Sequence, residues 1–154
     1  MRFIVAAVGR PRNAALAAAI HEYETRAARY WPLTVVEVKE ERGAGKRPPQ
    51  VRAREAERLR AAIPRGAALW ACDVGGTQRT SEEFARFMQR TREAVRDVVI
   101  CIGGAFGLDD ALRAEALAII SLGPLTFSHE LARLVLAEQV YRAGTIVRGE
   151  PYHK

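Results

Sequence analysis

Five short apolar runs, at residues 2–8, 33–40, 67–74, 97–102 and 117–122, alternate with stretches whose apolar residues recur at helical spacing. That alternation restricts the fold more than any other feature. Consecutive parallel strands need a crossover between them, and a helix is what fills it. The expected class is α/β, a mainly parallel sheet flanked by helices. The first helical stretch, 13–30, opens at Asn13, a good N-cap, and Leu16, Ile20, Tyr23, Ala27 and Tyr30 fall on one face. Residues 41–50 are expected to be a loop, because two prolines exclude regular structure. A charged helix follows at 51–63. "GGTQRT" predicts a turn, and a helix starts at Ser81 with Glu82 and Glu83 in its first turn. A short helix is expected at 108–116, and a long one from 129 to a stop at Gly144.

Nothing divides the chain. Its 154 residues contain no repeat, low-complexity tract or linker, so one domain, 1–154, is expected. No apolar run reaches the roughly 18–20 residues that span a bilayer, and "MRFIVAAVGRPRN" reads better as a strand than as a signal peptide. A soluble, cytoplasmic protein without membrane partners is the expectation. Cys72 and Cys101 sit in apolar runs and read as core thiols, and no spacing suggests a metal site. The last helix is apolar on more than one face, through Leu131, Leu134, Val135, Leu136, Ala137, Val140 and Tyr141. It is either a subunit interface or the central helix of a monomer.

In α/β sheets ligands bind beyond the carboxyl ends of the strands. Three late loops stand there, after residues 74, 102 and 122. The second is "IGGAFG". Its GGxxG spacing follows the fourth strand and lacks the Walker lysine and Ser/Thr, so it is not a dinucleotide or P-loop fingerprint. Its glycines permit close backbone approach, either as a wall for a flat adenosine moiety or as a tight strand-to-helix turn. The third, "SLGPLTFSHELAR", offers hydroxyls at Ser121 and Thr126, a bend at Gly123 and Pro124, and His129 four residues before Arg133, on one helix face. His129 there is either a cap or surface residue, or part of an anion or nucleobase site.

The net charge is +6 and the pI about 9.9. Such a balance suits a polyanionic partner as well as plain solubility. Arg42, Lys46, Arg47, Arg52 and Arg54 cluster around 41–54, with Arg47 and Arg52 the expected phosphate contacts. The C-terminal "YRAGTIVRGEPYHK" combines Arg142, Arg148, Tyr152, His153 and Lys154, cations for phosphates and a ring for unstacked bases, unless it is a solvated tail.

Taken in order, "IGGAFG", "LTFSHELAR" and "EQVYRAGTIVRGEPYHK" resemble the SPOUT-class 23S rRNA (pseudouridine-N3)-methyltransferase family, the large-subunit methyltransferase H family. The likeness extends to "RFIVAAVG" and "HEYETR" and covers the whole chain. It implies a homodimer binding S-adenosylmethionine in a C-terminal trefoil knot. It also implies methylation of N3 of a pseudouridine in 23S rRNA, in the helix 69 region of the assembled ribosome. The alternatives are a non-catalytic ribosome- or RNA-binding protein and a SPOUT enzyme acting on tRNA. By motif position the resemblance assigns cofactor contacts to Cys72, Gly103, Leu122, Gly123, Pro124, Leu125, Thr126 and Phe127, and the rRNA side to Arg133, Arg142, Tyr152 and His153. Within that frame Arg142 or Arg133 would favour the N3 anion, and His129, His153 or water would take the proton. The chain departs from the family at Cys72, where a larger aliphatic residue is usual, at Ser128, where proline is usual, and at Gly123–Pro124, where polar residues are common. Backbone contacts to a cofactor survive those changes; a side-chain contact at Gly123 does not.

Overall fold

A computed structural model describes residues 1–42, 44–94 and 96–153, without the side chain of His153. The strands are β1 (Phe3–Val8), β2 (Leu33–Val38), β3 (Ala68–Gln78), β4 (Val98–Ile102) and β5 (Ala118–Ser121). They form one sheet in the order β2-β1-β4-β3-β5, and every pairing is parallel. The helices are α1 (Ala14–Ala27), α2 (Pro48–Ala61), α3 (Ser81–Glu93), α4 (Asp110–Ala114) and α5 (His129–Val147), followed by a 3-10 turn at Pro151–His153.

The period-2 geometry of a strand divides the core in two. Phe3, Val5 and Ala7 of β1 face α1, α3 and α5, where Trp31, Phe84, Met88, Leu136 and Val140 are buried. Ile4, Ala6 and Val8 face α2 and α4, against Leu59 and Leu112. β1 and β4 are buried throughout because helices cover both faces, which is why they read as unbroken apolar runs. Trp31 adds direction to the first layer: its Nε1 donates to the Val140 carbonyl at 2.9 Å, and its ring meets Phe3 edge-on at 5.5 Å.

Three expected boundaries move. The prolines at 48 and 49 open α2 rather than exclude it, since the first helical positions need no backbone donor. β3 runs on through "GGTQ": after a register shift between Cys72 and Thr77 it pairs again with Ile120 and Ser121 of β5. Gly76 permits this, because a Cβ there would lie 2.7 Å from the Ile119 carbonyl. α5 does not stop at Gly144. That glycine is buried against the turn that follows α1, where a Cβ would lie 2.4 Å from Cβ of Tyr30. The helix ends three residues later, and the left-handed turn falls to Gly149 (φ +69°). The apolar breadth of α5 is explained by burial on α1, α3 and the sheet, with Leu131 and Val147 left exposed near its two ends. No helix among the described residues is long and apolar enough to cross a membrane.

Candidate functional site

The carboxyl ends of β4 and β5, with the middle of β3 at its register shift, open into one cleft of about 550 Å³. Its walls are the bulged middle of β3, the two later loops and the first turn of α5. Cys72, Asp73 and Val74 come from β3, residues 102–107 from the loop after β4, and Leu122, Gly123, Leu125, Thr126 and Phe127 from the loop after β5. Ser128, His129 and Ala132 close it. Of the residues assigned to the cofactor by motif position, only Pro124 stands outside the lining.

Each loop has a local reason for its shape. In the glycine loop Gly107 donates its N–H to the Gly104 carbonyl at 3.0 Å, with Gly107 at φ +78°. Gly103 lies under that turn, where a Cβ would sit 2.5 Å from the Gly107 carbonyl carbon. The tight turn is also part of the cleft wall. In the third loop the Ser121 hydroxyl donates to the Gly123 carbonyl at 2.9 Å and accepts from its N–H at 3.2 Å. Gly123 takes φ +139°, a conformation side chains disfavour. On β3, Asp73 accepts the Gly75 N–H at 2.9 Å and pairs with Arg113 at 3.2 Å.

The electrostatics of the walls are quiet. Burial, then the neighbouring Asp73 charge, pushes the Cys72 thiol up to about 12, so it is an uncharged wall at neutral pH. His129 is half-buried at the start of α5, beside the Ser128 cap that accepts the Leu131 N–H. Among the described residues it is the one imidazole in the cleft lining.

Of the four residues expected to do chemistry, the three whose side chains are described, His129, Arg133 and Arg142, do not meet in one chain. Arg133 follows His129 by one turn but is buried, and its guanidinium donates to Glu24 at 2.8 and 3.2 Å and to Glu37 at 2.7 Å. Burial works against that charge, yet the two carboxylates outweigh it and hold the Arg133 pKa above its usual value. Arg142 lies more than three turns further along α5, about 20 Å from His129 on a straight helix. There it pairs with Glu138 at 2.6 Å and lies over the Tyr152 ring at 4.8 Å. Tyr152 donates to Glu138 at 3.1 Å and meets Tyr141 edge-on. Burial first, then contacts with Tyr23 and Glu138, raises its pKa. Arg148 stacks on Tyr30 and donates to the Arg29 carbonyl at 3.2 Å. The C-terminal motif is thus a packed cluster rather than a solvated tail. The His153 side chain and Lys154 lie outside the described residues.

On the basic segment, Lys46 and Arg54 are engaged by Glu41 and Glu57. Arg47 is exposed at the N-cap of α2, and Arg52 is half-buried with no hydrogen bond to its Nε among the described residues. Sequence reasoning missed Asp73 and Phe106, which also line the cleft, and Glu55 behind it. Asp73 and Phe106 lie inside motifs already singled out; Glu55 sits in a run of charges that gives no sign of burial.

The family model described as a predicted SPOUT methyltransferase matches residues 1–153. The chain is 56% identical over its full length, and the full length of the relative, to "Ribosomal RNA large subunit methyltransferase H" of Gemmatimonas aurantiaca. It is 44% and 42% identical to proteins of the same name from Geobacter metallireducens and Geobacter sulfurreducens, covering 99% of each chain. A solved SpoU methyltransferase, AviRb of Streptomyces viridochromogenes in complex with AdoMet, overlays 91% of the chain and 56% of its own at TM-score 0.41 and 16% identity, too loosely to transfer a residue.

Proposed function

Because the chain belongs to the SPOUT methyltransferase family, we propose that it methylates N3 of a pseudouridine in 23S rRNA, in the helix 69 region of the assembled ribosome, using S-adenosylmethionine. The observation that carries this is the glycine-walled cleft at the ends of β4 and β5 and the bulged middle of β3, in a chain matched from end to end by large-subunit rRNA methyltransferases. Residues 1–154 act as one SPOUT domain, with the family's C-terminal knot, in the cytoplasm where ribosomes assemble.

The residues present suit the cofactor. The cleft has the size of a small-molecule site. The missing Cβ at Gly103 lets the Gly107 turn close against it, so this part of the wall is backbone, and Cys72 adds no charge to it. Gly103, Cys72 and the segment 122–127 would hold it, with Leu125 and Thr126 at its open edge. Bound there, S-adenosylmethionine supplies a methyl group already activated by its sulfonium. The chain's task is to align N3 of the base with that methyl group, a contribution of several kcal/mol, and to accept the N3 proton. His129 lines the cleft and takes that role here. Arg133 is committed to Glu24 and Glu37, so it supports the site from beneath. Arg142 and Tyr152 reach a cleft only if a second copy presents its α5 end to it. That requirement supports a homodimer in which the C-terminal cluster of one protomer serves the rRNA side of the other.

Transfer of tritiated methyl to 50S subunits and 70S ribosomes, with mapping of the modified base, tests the assignment. Label at N3 of a pseudouridine is expected. Label elsewhere in rRNA overturns the specificity, and label only in tRNA favours the tRNA enzyme. Calorimetry that detects no S-adenosylmethionine binding favours a non-catalytic RNA-binding protein.

A further inference from the structure

The loop that joins β1 to α1 lies beside the cleft but belongs to no part of the site described so far. Short-range contacts fix its shape. The Gly9 N–H donates to the Val38 carbonyl at 2.8 Å, Gly9 takes a left-handed φ of +80°, and Asn13 caps α1. Between them stand Arg10, Pro11 and Arg12. Two contacts tie the loop to the start of α5. The Arg12 backbone N–H donates to Oε1 of Glu130 at 3.1 Å. A Cβ on Gly9 would lie 3.9 Å from Nε2 of His129, and His129 lines the cleft. The loop is therefore a direct neighbour of a cleft residue.

Less exposed carboxylates orient the two guanidiniums of this loop. Arg10 Nε is 3.1 Å from Oε2 of Glu37, and Glu40 pairs with Arg12. The Arg10 and Arg12 side chains are 87% and 76% exposed, against 27% for Glu37 and 41% for Glu40. Glu37 also accepts from the buried Arg133 at 2.7 Å, so part of its charge is spent inward. Glu130, half-buried, is a further acid at the loop. A partner approaching from solvent meets the cations first and the acids behind them. Ion pairs this exposed add little to stability, so folding alone does not account for them. Holding a guanidinium by one edge does fix its direction and lowers the cost of ordering it on binding, and the guanidinium fork suits a phosphate. The positive edge continues along the chain: Lys39, Arg42 and, at the start of α2, Arg47 are exposed.

On the rRNA methyltransferase reading above, we infer that Arg10 and Arg12 contact the rRNA phosphates that flank the target nucleotide, and that the strand runs from the cleft over this loop toward the start of α2. A base presented to the cleft brings its own phosphates to the rim, and the Arg10–Arg12 loop stands at the His129 side of that rim. The contacts are made by the protomer whose cleft receives the base, whereas the C-terminal cluster needs a second copy to reach it. Phosphate contacts of this kind carry no base identity; they supply affinity and fix where the strand lies.

The test is filter binding to 50S subunits and 70S ribosomes over a salt series, together with single-turnover methyl transfer, for the wild type, Arg10→Gln, Arg12→Gln, the double Gln variant and the double Lys variant. Arg65→Gln removes the same charge from an exposed site before β3, at the opposite edge of the sheet, and is the control. Each Gln in the loop is expected to reduce the slope of log K against log salt by about 0.7–0.9, and the double Gln variant to weaken ribosome binding about tenfold at low salt. Its S-adenosylmethionine affinity by calorimetry should stay within about twofold, because the cofactor walls are untouched. The double Lys variant, which keeps both charges, should recover the slope. Unchanged affinity and slope overturn the proposal. So does an equal loss in Arg65→Gln, which would make net charge rather than place the cause, and so does a double Lys variant as weak as the double Gln, which a purely structural fork on Glu37 and Glu40 would give. Should the double Gln variant not fold, Arg10→Gln alone carries the comparison, since Glu37 keeps Arg133; an unchanged slope there also overturns it. A wild type that labels no ribosome refutes the methyltransferase reading instead, whereas an active wild type with a neutral double Gln variant refutes this inference alone.

Discussion

Arg133 holds its charge where water hardly reaches, with its side chain 7% exposed between Glu24 and Glu37. Removing one partner of a buried ion pair leaves the others uncompensated, so Arg133→Ala is expected to lower the unfolding free energy by about 3–5 kcal/mol, read from urea denaturation. If its role were to stabilise the N3 anion directly, the variant would instead keep its stability and lose only turnover. Gly103 is constrained by space. A Cβ 2.5 Å from the Gly107 carbonyl carbon must displace the turn. Gly103→Ala is therefore expected to cost about 1–3 kcal/mol of stability and, with the wall moved, to weaken S-adenosylmethionine binding by more than about tenfold in calorimetry. Retained affinity would mean that the wall is not a contact surface. That a glycine belonged at 103 was legible in the motif. That Arg133 pairs with Glu24 and Glu37 was not, because those acids are 109 and 96 residues away in the chain.

At the scale of elements, capping and turn chemistry were largely readable. Asn13 accepts the Leu16 N–H at 3.0 Å, and Thr80 with Glu83 forms a capping box at the start of α3. The misplaced boundaries have tertiary causes: Gly144 continues a helix because Tyr30 presses on it, and "GGTQ" continues a strand because β5 offers a new register. The sheet is also tied at its amino end. Asp97, just before β4, accepts the Arg2 N–H and its guanidinium, each at 2.7 Å, and lies 3.9 Å from the chain's amino group. The hydrogen bonds from Arg2, side chain first, hold the Asp97 carboxyl below its usual value near 3.8. A carboxyl depressed in the folded state adds stability above its unfolded pKa and loses it as pH falls through the folded one. Thermal melts should therefore show an acid loss beginning near pH 4 that is shallower in Asp97→Asn. An identical acid limb in the variant would mean that Asp97 contributes nothing to acid stability.

For the whole molecule, the charge of +6 matters through its distribution. Many of the basic side chains are already held by carboxylates, Arg12 by Glu40 and Lys46 by Glu41 among them. Arg47, at the start of α2, and Arg52, one turn further on, are not in ion pairs among the described residues. Replacing both by Ala should weaken binding to large subunits and reduce the slope of log K against log salt by about 0.7–0.9 for each phosphate left unneutralised, measured by filter binding over a salt series. An unchanged affinity and slope would direct RNA to another face. A dimer would add a second basic surface to the first, and sedimentation velocity checks it: one species near 34 kDa, twice the 17.0 kDa chain, is expected.

The amino-acid sequence by itself determined the α/β class, the five strands, most helix starts and the two loops after β4 and β5 that carry the cleft. Each follows from patterns a few residues long: period-2 and period-3.6 spacing, caps and glycine turns. The motif order also pointed to the family. Only the tertiary structure decided that Arg133 is sequestered, that His129 lines the cleft, that Arg142 stands about 20 Å along the same helix with Tyr152 of the 3-10 turn packed against it, and that Glu55 is buried behind the glycine wall. Those depend on which distant segments the parallel crossovers bring together. Hydrophobic spacing places elements on faces, but it does not say which carboxylate will meet which guanidinium once they are packed.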